Sequence, residues 1–254
     1  MKNIVCYRNK KSQQVEILEA FAKSCGAEVF NAWDGIRDNG IIAFMGLQDG
    51  CLEMAKTCIE FNLDYIFIDH SYFPSTRGYK KDSYYRITRC GINATVFKKT
   101  PTNRLASLNV KCGPWKQSGT IIVLIPPSET MTKLLGLDGW TEATIRELQK
   151  HTTKPIVVKH KFDKKPLTDY LINAFALVSY NSMAAVEAAI YGVPVFVDKS
   201  SPANPIGRTD FSKIEQPIYP DRDNWLAWLS ARQWNKDEIL SGLAFQSLIG
   251  EEKV

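Results

Sequence analysis

Residues 176–198, ALVSYNSMAAVEAAIYGVPVFVD, decide how the rest of the chain is read. An apolar run stops at four hydrogen-bonding side chains, Ser179, Tyr180, Asn181 and Ser182, and an alanine-rich segment follows. Gly192, Val193 and Pro194 then lead into a second apolar run. Strands buried on both faces read as continuous apolar stretches, and two of them joined through a helix form a parallel unit. The pattern predicts strand, helix and strand, with Gly192 as the helix C-cap. Ligands of open parallel sheets sit outside the carboxyl ends of the strands, which is where the quartet falls.

Outward from this stretch the same rhythm recurs. Strands are expected at 119–128 (GTIIVLIPPS) and 154–161 (KPIVVKHK), and helices at 139–152, with Thr141 as an N-cap, and in 166–174. Earlier, 3–7, 27–33, 40–46 and 63–70 read as strands, and 12–26 and 48–62 as amphipathic helices. Residues 71–117 break the pattern with Tyr, Arg, Lys, Gly and Pro, and with short antiparallel strands expected at 83–89 and 94–99. The aromatic-rich segment 222–250 is expected to form one or two helices on the second sheet. The expected fold is therefore α/β, two Rossmann-like lobes facing across a cleft: a first lobe over 1–115 and a second lobe with C-terminal helices over 116–254.

Composition excludes several classes. The chain has 254 residues, 44% hydrophobic and 23% charged, close to globular averages. Its longest apolar runs are too short to span a bilayer, and MKNIVCYRNKK turns charged too early for a signal peptide, so a cytoplasmic protein with no membrane partner is expected. Six cysteines form no CxxC pair, and three histidines, His70, His151 and His160, do not cluster with them, which speaks against structural zinc. No metal ligands are assigned, and the role of a divalent ion is left open. No GxGxxG or P-loop follows a strand. The net charge of +5 gathers at 77–89, 98–116 and 159–165, a distribution suited to phosphate-bearing ligands.

The strand ends of the second lobe carry Pro127, Ser128 and Glu129, then Lys159, His160 and Lys161, then the quartet. Over 119–198 the chain resembles two-lobed (GT-B) glycosyltransferases, notably those of capsule and surface polysaccharides: strand, Ser/Asn turn, helix with a glutamate, Gly-x-Pro, strand. The resemblance implies no permanently bound cofactor and a nucleotide-sugar co-substrate held by Ser128, Lys159, His160, Lys161, Tyr180, Asn181, Ser182 and Glu187. Asn181 and Ser182 would meet the diphosphate and Glu187 the ribose. Where many relatives have a His-Pro pair, this chain reads KHKFDKK.

In the first lobe Asp69 and His70 end a strand, and either is a candidate base for the acceptor hydroxyl. Arg77, Tyr79, Arg86, Arg89 and Asn93 follow as candidate acceptor contacts. This stretch is similar to bacteriophage proteins encoded with DNA-modification functions, which implies hydroxymethylated pyrimidines of DNA as acceptor. A surface-polysaccharide transferase, a nucleotide-sugar epimerase and a non-catalytic DNA-binding protein on the same scaffold are the alternatives.

Overall fold

A computed structural model describes residues 3–37, 40–101 and 103–249. The chain forms two compact units, Met1–Val96 with Ser230–Val254, and Phe97–Leu229. Unit 1 begins with β1 (Ile4–Arg8), α1 (Ser12–Cys25), β2 (Glu28–Asn31), β3 (Ile41–Met45), α2 (Cys51–Glu60), β4 (Tyr65–His70) and β5 (Tyr84–Arg89). Unit 2 follows with α3 (Asn103–Leu108), β6 (Ile121–Ile125), α4 (Glu129–Leu135), α5 (Trp140–Gln149) and β7 (Ile156–Val158). It continues through α6 (Leu167–Leu171), β8 (Ala174–Ser179), α7 (Met183–Tyr191), β9 (Val195–Val197) and α8 (Asp223–Ser230). The chain then returns to unit 1 as β10 (Gln233–Asn235), α9 (Lys236–Leu240) and α10 (Leu243–Ile249).

The strand order is β10-β5-β4-β3-β1-β2 in unit 1 and β7-β6-β8-β9 in unit 2. The unit 2 sheet is wholly parallel, as are β1 to β4, whereas β5 and β10 pair antiparallel. Both units thus share one arrangement. The first strand is central, the second flanks it on one side, and the third and fourth lie on the other. The order of connection reverses between β1 and β3, and between β6 and β8, and the carboxyl ends of those parallel strand pairs are the topological switch points.

The apolar runs explain the sheet of unit 2. Ile122, Leu124, Ala176, Val178 and Phe196 alternate onto one face and pack with Leu148 and Ile214. Ser182 begins α7 by accepting a hydrogen bond from Ala184 N, and the small side chains of Ala185, Ala188 and Ala189 are buried. As expected, Gly192 ends α7, at φ 102°. A Cβ there would collide with Pro114 O, so glycine is required twice over.

Several elements differ from expectation. The chain passes between units twice, where the sequence reading divided it once, because β10 pairs with β5 and Trp234, Ile239, Ala244 and Leu248 enter the unit 1 core. The segment beyond residue 230 therefore packs on the first sheet. Residues 94–99 form no strand, and α5 is preceded by Gly139 in the left-handed region, with Thr141 already inside the helix.

Candidate functional site

The unit 2 rim is built from the strand ends outward. Ile125 and Ser179 are register partners on β6 and β8, so the residues that follow them flank the switch point. After β6, Ser128 caps α4, its Oγ accepting from Met131 N at 3.3 Å. After β8 come Tyr180, Asn181 and Ser182. Ser182 opens α7, whose N-terminal N–H groups and partial positive charge suit an anion. Ser179 is 0% exposed, and its Oγ has no hydrogen-bond partner. Buried hydroxyls are almost always paired, so Ser179 is an exception, and it lies at the switch point.

The fourth strand adds residues that sequence reasoning passed over. Asp198 follows β9, and its backbone N donates to Tyr180 O at 2.9 Å. Its Oδ1 accepts from Ser200 N at 2.8 Å and Ser200 Oγ at 2.7 Å, and Asn181 Nδ2 reaches Ser200 Oγ at 3.5 Å. Burial, then the Asp198 carboxylate, raises the pKa of the Tyr180 hydroxyl. The Trp140 ring meets Tyr180 edge-on at 6.0 Å. Asp198, like the quartet, sits at a strand's carboxyl end, and that position was the signal available in the sequence. Glu187 lies half-buried in α7, five residues beyond Ser182.

The β7 end departs from a phosphate-binding picture. Lys159 is buried, donates to His160 O at 2.7 Å and lies 5.8 Å over the Tyr170 ring. His160 is exposed, and its backbone N donates to Asp163 Oδ2 at 2.7 Å. Lys161 is exposed with its ammonium 5.8 Å over the Phe162 ring. One of the three Lys159 donors is thus committed within the chain.

On the unit 1 rim, Asp69 and His70 are consecutive in a strand and so point to opposite faces. Asp69 pairs across the sheet with Arg86, and His70 with Tyr85. Both Asp69 oxygens are engaged: Oδ1 accepts from His70 N at 2.8 Å and Oδ2 from Arg86 Nη2 at 2.7 Å. Arg86, 7% exposed, also donates to His70 O at 2.6 Å and Ile92 O at 3.3 Å. The Asp69 carboxylate is thus ion-paired within the sheet, and the two side chains lie on opposite faces.

The His70 ring meets Tyr79 edge-on at 4.7 Å and stacks on Tyr85 at 6.4 Å. Its Nδ1 and the Tyr79 hydroxyl are both buried without partners. Burial lowers the His70 pKa first; Asp69 opposes this, while Arg86, Lys11 and Arg77 reinforce it. The imidazole is therefore neutral in neutral solution, the form a base requires.

The other expected acceptor contacts serve the fold. Arg89 forms a bidentate pair with Asp64 at 2.9 and 2.7 Å, which raises the arginine's pKa. Arg77 donates to Ser71 O at 3.2 Å and Tyr72 O at 2.8 Å. Asn93 is buried, its Oδ1 without a partner. Guanidiniums held this way position the 69–93 segment and have few donors to offer a ligand.

Among the described residues no group of three or more His, Cys, Asp or Glu side chains could hold a metal, and no helix is long and apolar enough to cross a membrane. No protein-family model matches the sequence, and no curated protein matches it either. Two solved structures from Thermosulfurimonas dismutans are similar to the chain. One, titled KpsC, beta Kdo 2,7 transferase, superposes with a TM-score of 0.54 at 10% identity, covering 96% of this chain and 99% of that one. The other, titled KpsC, beta Kdo 2,4 transferase, gives 0.48 at 11% identity, covering 87% and 89%. The first likeness shows that the α/β fold of a glycosyltransferase structure extends along nearly the whole chain.

Proposed function

We propose that the protein is a glycosyltransferase that takes a sugar from a nucleotide-sugar donor at the rim of unit 2 and delivers it to a hydroxyl acceptor at the rim of unit 1. The transfer requires the two rims to share one cleft, the GT-B-like assembly expected from the sequence. The observation that carries the reading is the unit 2 switch point: a buried Ser179 hydroxyl without a partner beside the Asn181–Ser182 turn that opens α7. The glycosyltransferase fold similarity agrees with it.

The chemistry follows from the groups at hand. The N-terminus of α7, Ser182 and Asn181 would stabilise the departing diphosphate, because fixed dipoles aimed at developing charge need no reorganisation. Ser128, Lys159, His160 and Lys161 line the same rim, and Tyr180, braced by Asp198 and Trp140, would bound the sugar or base. Glu187 would bind the ribose. His70, neutral and at the end of β4, would take the acceptor proton through Nε2. A DNA acceptor has less support, since Arg77, Arg86 and Arg89 are engaged by their own chain and a glycan hydroxyl asks less of them.

Isothermal titration with nucleotides and nucleotide sugars, including nucleotide-activated Kdo after the sugar named for the structural neighbour, tests the proposal. Binding by at least one of them, weakened by Asn181→Ala, is expected. Binding by none overturns the donor assignment. Rearrangement of the donor without an acceptor would identify an epimerase instead.

A further inference from the structure

Around the unit 1 switch point the cations fall into two sets. One set is neutralised at close range: Arg86 by Asp69, Arg89 by Asp64, and Lys236 by Glu16. The other consists of Lys10 and Lys11, directly after β1. Among the described residues neither ammonium has a carboxylate partner; Lys10 lies 5.2 Å over the Trp33 ring and Lys11 5.4 Å over the Tyr79 ring. An aromatic face holds a lysine in place for about 0.5–1 kcal/mol while leaving its charge available to a third party. A carboxylate would have cancelled that charge.

The surroundings reinforce the same sign. The first turn of α1, which Lys11 precedes, contains no acidic residue and receives no side-chain cap. Its partial positive charge therefore adds to the two ammoniums. The Tyr79 ring that carries Lys11 also meets His70, so the unpaired cation and the candidate base belong to one contiguous group. Asp49, the nearby acid, accepts from the Lys10 backbone N at 3.1 Å and leaves the Lys10 ammonium unneutralised.

We propose that the acceptor is a glycan carrying an anionic group, carboxylate or phosphate, near the hydroxyl to be glycosylated, and that Lys11, assisted by Lys10, binds that group while His70 faces the hydroxyl. This rests on the assignment of unit 1 as the acceptor side. Each aromatic platform holds its own lysine in place, Trp33 for Lys10 and Tyr79 for Lys11, and preorganisation limits the entropy lost on binding. Trp33, 45% exposed, adds a flat apolar face of the kind a sugar ring can cover.

The test uses the full-length chain, isotope-labelled, titrated in separate arms with glucose, glucuronate, glucose 6-phosphate and a short DNA duplex, and in parallel with nucleotides. The expected result is that glucuronate or glucose 6-phosphate shifts Lys11, Tyr79 and His70 resonances at least about tenfold more tightly than glucose, as one charge-assisted contact provides. Lys10→Gln/Lys11→Gln should remove that advantage with the fold intact. The two anions separate a carboxylate from a phosphate source. Equal binding of glucose, or undiminished anion binding by the double variant, overturns the proposal. So does duplex DNA binding more tightly than either sugar anion and losing affinity in the variant, which would make the acceptor a nucleic acid. The nucleotide arm reports independently on Asn181 and Ser182: anions that bind without any nucleotide response would refute the donor reading and leave the anion site standing.

Discussion

Replacing Ser179 by alanine should make the protein more stable and its nucleotide affinity weaker. The Ser179 side chain is fully buried at the end of β8, and its hydroxyl has no partner. Leaving a buried hydroxyl unpaired costs about 1–3 kcal/mol relative to its solvated state. Ser179→Ala removes that cost, and the small void left by one oxygen gives back a few tenths of a kcal/mol. The net expectation is a gain of about 1 kcal/mol, or roughly 2–4 °C for a chain of this size. Four of the six tryptophans, Trp115, Trp140, Trp225 and Trp228, lie in unit 2, so fluorescence during urea unfolding reports mainly on the unit that changes. A donor phosphate that takes the hydroxyl's hydrogen bond would lose about 1 kcal/mol in the variant, roughly a fivefold weaker nucleotide. A destabilised variant would show that the hydroxyl has a partner after all. Unchanged nucleotide affinity, with Asn181→Ala still weakening it, would show that Ser179 faces away from the donor.

Arg86→Met should cost about 3–5 kcal/mol in denaturation, because it strands the Asp69 carboxylate beside a nearly buried site, and Arg86→Met/Asp69→Leu should recover most of the loss. A small single-variant cost would mean the pair is solvated. The His70 resonance should titrate below the imidazole's ordinary value of 6.5. Since the unfolded chain then binds more protons, the His70 contribution to stability is complete above 6.5 and is lost as pH falls through 6.5 toward the lower folded value; a midpoint above 6.5 in an NMR titration contradicts the assignment of a neutral base. Gly192→Ala should destabilise by about 2 kcal/mol or more, from a left-handed φ of 102° and collision with Pro114 O, and equal thermal stability would refute that constraint.

The parallel strands were legible because burial on both faces leaves an unbroken apolar signature, as in IIVLI of β6 and AFALVS of β8. The end of α7 was legible because glycine alone relieves both its backbone angle and its contact with Pro114. Beyond residue 230 the signal failed. QWN of β10 is three residues long and has no strand periodicity of its own; it is a strand because β5 offers an unpaired edge. The arginines misled for a related reason. A run of basic residues reads as a ligand surface until the fold reveals its partners, and Arg89 finds Asp64, and Arg86 finds Asp69, only through the antiparallel pairing of β4 with β5. The Asp69–His70 dipeptide offered two candidate bases, and the pleat of one strand sends them to opposite faces.

The shared strand order gives both units a switch point, and the difference between the two argues for where the donor goes. In unit 1 that position is sealed by its own side chains. Asn9, nearly buried after β1, donates through Nδ2 to Gln14 Oε1 at 2.5 Å and Met45 O at 2.8 Å, and its Oδ1 accepts from Lys11 N at 2.8 Å. Gly46, at φ 68°, lies so close to the Gln14 amide that a Cβ would crowd it. Both Asn9 donors and its acceptor are thereby engaged, tying β1, β3 and α1 together, and a phosphate there would have to break bonds already made. In unit 2 the corresponding crevice holds Ser179 with its hydroxyl unpaired, beside a helix whose first turn carries no acidic residue. An anion at the unit 2 rim therefore meets the N-terminus of α7, whereas one entering between the strands of unit 1 would have to break bonds already made.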